Sequence, residues 1–184
     1  MLPRANRERS RRDVSKGKLS PRSAEIQRLV GRALRASIDM RALGERTITI
    51  DCDVLQGDGG TRTASVTGGY VALALACQWL VKEGYLLRSP LRTAVAAVSA
   101  GIVDDELLLD LCYEEDSNAQ VDLNCIMTEQ GELVEIQGTG EGRAFTIQEQ
   151  RQLVDLCAKG IDELLTKQRE ALALAEKQAE EGSR

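Results

Sequence analysis

The chain is 184 residues long with a formal net charge of −5, five cysteines, 3% aromatics and no histidine. That length fits a single domain with a real core, built here from Leu, Ile, Val and Ala. Without histidine, a Ser-His-Asp hydrolase, a Cys-His protease, a His-x-Glu deaminase and an HExxH metalloprotease are excluded as this chain's own chemistry, which leaves carboxylates, arginines, hydroxyls, backbone groups and a hard metal ion.

Residues 1–22 hold eight cations (Arg4, Arg7, Arg9, Arg11, Arg12, Lys16, Lys18, Arg22) against Glu8 and Asp13, so they carry +6 and residues 23–184 carry −11. A polyanion is drawn to the first part and repelled by the rest, which makes nucleic acid a candidate partner; a solvated flexible arm is the alternative. Residues 1–20 show no apolar periodicity and read as a basic arm or long loop. Met1 is followed by polar, arginine-rich sequence with no apolar h-region, so no signal peptide is read, and no apolar run reads as long enough to cross a membrane.

The core is expected over residues 21–174. Ser20-Pro21 suits a helix start, because proline lacks only an N–H that would be unpaired there anyway. Ile26, Leu29, Val30, Ala33, Leu34 and Ile38 follow at helical spacing, and Gly44 closes the unit. Thr47 to Val54, β-branched and alternating, reads as the first strand and delivers the chain into Gly57-Asp58-Gly59-Gly60-Thr61-Arg62. A helix is expected from near Thr63, with Val66 to Tyr85 apolar nearly all round, the pattern of a central helix packed on several sides.

Thr93 to Val103 is small and β-branched, and beyond Asp104-Asp105 the run Glu106 to Tyr113 reads as its partner strand. Gln120 to Thr128 and Leu133 to Gly138 flank Glu129-Gln130-Gly131 and predict a hairpin. Thr146 and Glu149 form a capping box for a helix carrying Leu153, Leu156, Cys157, Ile161, Leu164 and Leu165, with a polar, fraying tail over 175–184. Cys52, Cys77, Cys112, Cys125 and Cys157 form no C-x-x-C and sit in apolar runs, so they read as reduced core thiols of a cytoplasmic protein; disulfides or a zinc site are the alternative.

Two stretches carry chemistry. Glycines let the backbone approach a ligand, and consecutive N–H groups with the Thr61 hydroxyl and the Arg62 guanidinium are what a phosphate group asks for. The stretch fits neither a Walker loop nor a Gly-x-Gly-x-x-Gly fingerprint, and a plain glycine-rich turn is the alternative. The second is Tyr113-Glu114-Glu115-Asp116 together with Asp122, an acid in Val121-Asp122-Leu123-Asn124 inside the apolar strand Gln120 to Thr128. Placed at adjoining strand ends, Asp116 and Asp122 would suit a Mg²⁺ site or a general acid; a solvated acidic turn with one salt-bridged aspartate is the alternative.

The segments LPRAN, IQRLVGRALRA, ERTITIDCDVLQGDGGTRTASVTG, LDLCYEED, VDLN and EIQGTGEG closely resemble the ribonuclease PH family of bacterial phosphorolytic exoribonucleases, from Met1 to about Leu172. The resemblance implies an α+β fold, a mixed β-sheet packed with helices of the ribosomal protein S5 domain 2-like type. It implies a tRNA nucleotidyltransferase that uses inorganic phosphate to release nucleoside diphosphates from the 3′ ends of precursor tRNA and other RNA, assembled as a hexameric ring of dimers in the cytoplasm. Carried across, the phosphate site falls on Arg22, Gly60, Thr61 and Arg62, the catalytic or Mg²⁺-binding carboxylates on Asp116 and Asp122, and RNA guidance on Arg4, Arg7, Arg9, Arg11 and Arg12.

Two departures from the family are visible. Its members carry several dozen residues before LPRAN, forming early strands, so this chain is expected to lack the first strands, to expose apolar surface and to fold weakly. An impaired RNA-binding or ring-forming subunit is the alternative function. The family also has Ser-Gly-Arg where this chain has Ser20-Pro21-Arg22, which bears on the placement of Arg22.

Overall fold

The computed structural model describes Ala5 and residues 19–181. Helix α1 (Pro21–Ala36) starts where its sequence predicts: the Ser20 hydroxyl accepts the Ser23 N–H at 3.1 Å, and Pro21 sits in the first turn. Leu29, Val30, Ala33 and Leu34 form its buried stripe. A single turn, α2 (Met40–Leu43), is capped by Asp39 and ended by Gly44 at φ 71°.

Thr47 to Val54 does not form the expected strand. Its alternation is obeyed, since Ile48 and Ile50 pack on the core while Thr47 and Thr49 are exposed. It builds no ladder because, among the described residues, no strand lies beside it to pair with its N–H and C=O groups.

Helix α3 (Thr61–Lys82) begins at Thr61 rather than near Thr63, and the chain leaves it through Gly84 at φ 75°. Val66, Tyr70, Leu73, Ala74 and Cys77 are buried towards α1 and the sheet. The opposite face, expected to be covered, carries the exposed Leu75 and a Trp79 that is 53% exposed and stacked on Tyr85 with ring centroids 5.4 Å apart. By length and composition α3 is long and apolar enough to cross a membrane, contrary to the sequence reading. Here it is the core helix of the domain, packed against α1 and the sheet.

The sheet holds β1 (Val95–Val103), β2 (Glu106–Leu109), β3 (Val121–Thr128) and β4 (Leu133–Gly140), in the order β2-β1-β3-β4 with antiparallel pairing throughout. The second of these is shorter than expected. Asp110 adopts φ 59°, a left-handed conformation that cannot continue the ladder but that aspartate tolerates. The residues beyond it form a helix, α4 (Tyr113–Asn118), whose acidic first turn of Glu114, Glu115 and Asp116 suits the positive end of a helix dipole. Asp116 therefore stands on a helix, not at a strand end.

Alternation divides the sheet residues between two cores. Val95, Ala97 and Ile126 face α1 and α3, whereas Ala96, Val98, Ala100, Leu123, Cys125 and Met127 face the last helix, α5 (Ile147–Glu181). Leu153, Cys157, Ile161 and Leu165 form the buried stripe of α5. The expected tail is helical as far as Glu181. Cys77, Cys125 and Cys157 are buried free thiols as expected, but Cys52 is exposed and Cys112 half-buried, because the segments bearing them do not enter the sheet.

Strand β2 covers only the far half of β1, pairing Ala100 to Val103. Side chains close the remaining edge: the Thr67 hydroxyl accepts the Ala97 N–H at 3.1 Å and lies 3.2 Å from its carbonyl, and the Gln168 amide donates to the Val95 and Thr67 carbonyls at 2.9 Å. Helices α3 and α5 are thus tied to the same strand edge, which would otherwise offer unpaired groups.

The capping box at the start of α5 forms as predicted. The Glu149 N–H donates to the Thr146 hydroxyl, and the Glu149 carboxylate accepts the Thr146 N–H at 2.7 Å and Arg143 at 2.7 Å. Arg143 first, then the Thr146 donors, draw the Glu149 carboxyl from 4.5 down to about 2. A depressed carboxyl stabilises the fold above its ordinary pKa and loses that contribution as the pH falls through about 2. Glu149→Gln should therefore lower the melting temperature at neutral pH, and the gap from wild type should close between pH 4.5 and about 2 in calorimetric melts.

Candidate active site

Gly59 and Gly60 are glycines for separate reasons. A side chain at Gly59 would be driven into the Leu111 carbonyl oxygen, so this position admits a close passage of two backbones. Gly60 adopts φ 63°, where glycine carries no Cβ penalty, and becomes the N-cap of α3. It is followed by the first helical bond, from the Ala64 N–H to the Gly60 carbonyl at 3.0 Å, and by a Thr63 hydroxyl bond to the same oxygen at 2.8 Å. The helix has no side-chain cap bond and no acid in its first turn, so the N–H groups of Thr61 and Arg62 present the positive end of the α3 dipole uncovered.

Arg62 is 26% exposed and lies 3.9 Å from Glu25 of α1. An ion pair that long and that open contributes roughly 0–1 kcal/mol, so the guanidinium keeps its capacity for an anion. Arg22 stands exposed on the first turn of α1, three residues before Glu25, which places that turn beside Arg62.

Asp122 lies on β3 opposite Gly101, and its strand face is the one turned towards α3. The Asn124 amide, two residues on and therefore on the same face, donates to Asp122 at 3.2 Å. Burial raises the pKa of Asp122 most, and the neighbouring Asp116 raises it further. Arg62 and the Asn124 bond pull it down, and Glu141 adds another upward push. Arg62 and Asp116 both act on the Asp122 carboxyl, which links the strand acid electrostatically to the α3 terminus and to α4.

A 510 Å³ cleft runs between α3, β2 and α5, and a 460 Å³ cleft lies between α3 and residues 50–58. Both touch Gly59 and Ala64, but neither is lined by Arg22, Arg62, Asp116 or Asp122. Arg22 and Asp116 are exposed, whereas Arg62 and Asp122 are half-buried. The two carboxylates are hard oxygen donors, a set that suits Mg²⁺, which is commonly held by one or two carboxylates together with substrate phosphates. Among the described residues no cluster of three or more His, Cys, Asp or Glu ligands exists.

Of the residues singled out in the sequence, the structure draws together Gly60, Thr61, Arg62, Asp116 and Asp122, and places Arg22 on the neighbouring helix turn. Arg4, Arg7, Arg9, Arg11 and Arg12 lie outside the described residues. Ala5, within the same expected arm, is buried, and its carbonyl accepts the Gly57 N–H. Asn124 and Asp58 were not singled out. Asn124 was legible from its i, i+2 spacing to Asp122; Asp58, whose carboxylate accepts the Tyr113 N–H at 2.8 Å, was not, since its partner is 55 residues away.

A helix terminus and an arginine near two carboxylates are groups whose chemistry suits phosphate. Residues 1–77 match the model of the 3′ exoribonuclease family, domain 1, and residues 93–159 match that of domain 2. The chain belongs to this 3′ exoribonuclease family, the ribonuclease PH group.

Three solved structures share the fold. Rice (Oryza sativa) Rrp46 superposes with a TM-score of 0.63 at 14% identity, covering 85% of this chain and 68% of that one. An archaeal exosome core gives 0.59 at 21% identity, with 83% and 66% covered. The Archaeoglobus fulgidus exosome with RNA bound to its active site gives 0.58 at 20% identity, with 82% and 65% covered. The chain thus spans about two thirds of the length of the chains it resembles.

An acid whose pKa is raised by folding supports the fold while protonated, below the ordinary value of 3.8, and that support is lost as the pH rises through the elevated value. Asp122→Asn should therefore melt higher than wild type at pH 7, by about 2–4 °C for each kcal/mol relieved in a chain of this size. The two should melt alike near pH 3.

Proposed function

We propose that the chain is a phosphate-dependent 3′ to 5′ exoribonuclease, a tRNA nucleotidyltransferase whose substrate is the 3′ trailer of precursor tRNA. The observation that carries this reading is the convergence of Gly60, Thr61 and Arg62 with Asp116 and Asp122. Family membership supports it, as does likeness in fold to a structure that holds RNA at its active site.

Inorganic phosphate and the terminal phosphodiester are both anions, and their approach must be made tolerable by fixed positive charge. The Thr61 and Arg62 N–H groups, the Arg62 guanidinium and Arg22 of α1 supply it. An oxygen of the held phosphate bonds to the terminal phosphorus, the bond from that phosphorus to the 3′ oxygen breaks, and a nucleoside diphosphate departs. The 3′ oxygen left on the shortened RNA takes a proton.

Asp122 can hand over that proton, since burial beside Asp116 favours its neutral form. Alternatively, Asp116 and Asp122 hold Mg²⁺, which when bound supplies positive charge at the same oxygen. Activity abolished by a chelator and restored by Mg²⁺ selects the second; activity indifferent to both selects the first.

Arg4, Arg7, Arg9, Arg11 and Arg12 would draw the RNA in, and a hexameric ring of dimers is the assembly that fits likeness to an exosome core. The free cysteines suit a reducing, cytoplasmic setting. A second reading, a ring-forming subunit without activity, draws on the exposed Leu75 and Trp79 face of α3, which a neighbouring subunit would cover.

RNA carrying a short 3′ trailer, incubated with the chain and Mg²⁺, should yield nucleoside diphosphate only when phosphate is present. Nucleoside monophosphate, or no product, contradicts the proposal. Arg62→Ala should lower the phosphorolysis rate by about two to three orders of magnitude, the scale for losing one transition-state donor, while changing the RNA dissociation constant by no more than about threefold. An equal loss of RNA binding would argue against a phosphate-specific role.

A further inference from the structure

Helix α4 is anchored in an unusual way for a segment bearing a reactive acid. It is six residues long, none of them is buried, and it packs against β1. Hydrogen bonds at its two ends add to that packing. At its C-terminal end the buried Ala119 donates its N–H to the Asp116 carbonyl at 3.3 Å. At the N-terminal end the local cap residue is Cys112, a thiol and a weak acceptor, and its own N–H is taken by Glu115 at 2.8 Å. The Tyr113 N–H is instead accepted by Asp58 at 2.8 Å, from the glycine-rich loop. Asp58 thus serves as a helix cap supplied from 55 residues away. The next residue, Gly59, lies backbone against backbone on Leu111 and Cys112. Gly60, after that, opens α3.

We propose that Asp58 is a positioning residue: through the Tyr113 N–H it fixes α4, and so Asp116, relative to the phosphate nest of Gly60, Thr61 and Arg62. This rests on the phosphorolytic reading of the same site. In this role Asp58 acts through the Tyr113 N–H rather than on the reacting atoms. Its task is to make the cradle of the nucleophile and the acid that answers the leaving oxygen into one rigid unit, because an error of about 1 Å between such groups costs on the order of a hundredfold in rate. The role requires an acceptor oxygen at this position rather than a negative charge.

The test compares the full chain with Asp58→Ala and Asp58→Asn. Amide hydrogen exchange, which needs no activity, should show the Tyr113 N–H exchanging about fivefold faster or more in Asp58→Ala, the scale of a lost cap. Amides at the start of α5, such as Glu149, should be unchanged. In phosphorolysis assays Asp58→Ala should lower kcat by about tenfold to a hundredfold with KM for RNA moved no more than about twofold. Asp58→Asn, which keeps an acceptor oxygen, should return kcat to within about threefold of wild type.

Unchanged Tyr113 exchange in Asp58→Ala overturns the link itself. An unchanged kcat, a kcat loss matched by an equal rise in KM for RNA, or an Asp58→Asn as impaired as Asp58→Ala overturns the positioning role. If wild type forms no nucleoside diphosphate, the phosphorolytic reading fails, and with it the role of Asp58 in that reaction, while exchange still decides whether Asp58 anchors α4.

Discussion

Everything in the candidate site depends on two backbones passing without a side chain between them, at Gly59 and Leu111. The glycine loop turns into α3 through Gly60, and the segment after β2 turns into α4 through Asp110 and Leu111. Where these turns touch, a helix terminus that attracts anions comes close to a helix whose acids repel them. Under the proposed phosphorolytic reading, the helix terminus would hold the anionic nucleophile, and the acids would answer the leaving oxygen through a proton or a bound Mg²⁺. Any Cβ at position 59 would push the two turns apart and separate those functions.

The sheet provides the reference frame for both turns. Strand β1 is paired by β2 over only half its length, and the exposed remainder is closed by Thr67 and Gln168 rather than by another strand. Because Thr67 lies on α3, closing the edge also fixes how far α3 reaches along the strand, and hence where its N-terminus sits. Asp122 shows the opposite tendency. Its carboxyl is placed where burial and Asp116 both oppose ionisation, a strain on the fold that a packing residue would not impose.

The sequence and the structure agree where the signal is local. Ser20 and Pro21, Gly44, Gly84, the Glu129–Gly131 turn and the Thr146–Glu149 box are each read from neighbours a few residues apart, and each appears where expected. Agreement fails where the deciding partner is distant or a polar residue takes an uncommon conformation. Thr47 to Val54 has the pattern of a strand but no neighbour to pair with among the described residues. Glu106 to Tyr113 reads as one strand because nothing in its composition announces the left-handed Asp110. The acids of the site were legible by type and the residues that hold them were not: Asp116 and Asp122 stand out, whereas Asp58 acts on a backbone group far along the chain.

The central claim is that the first turn of α3 is a cradle for inorganic phosphate. The most direct test titrates phosphate into the ¹⁵N-labelled chain and follows the backbone amides of Gly60, Thr61 and Arg62. The account predicts saturable shifts at these amides, carried to Tyr113 through Asp58 and absent in Arg62→Ala. Saturable shifts that spare the first turn of α3, or that persist undiminished without Arg62, would contradict it.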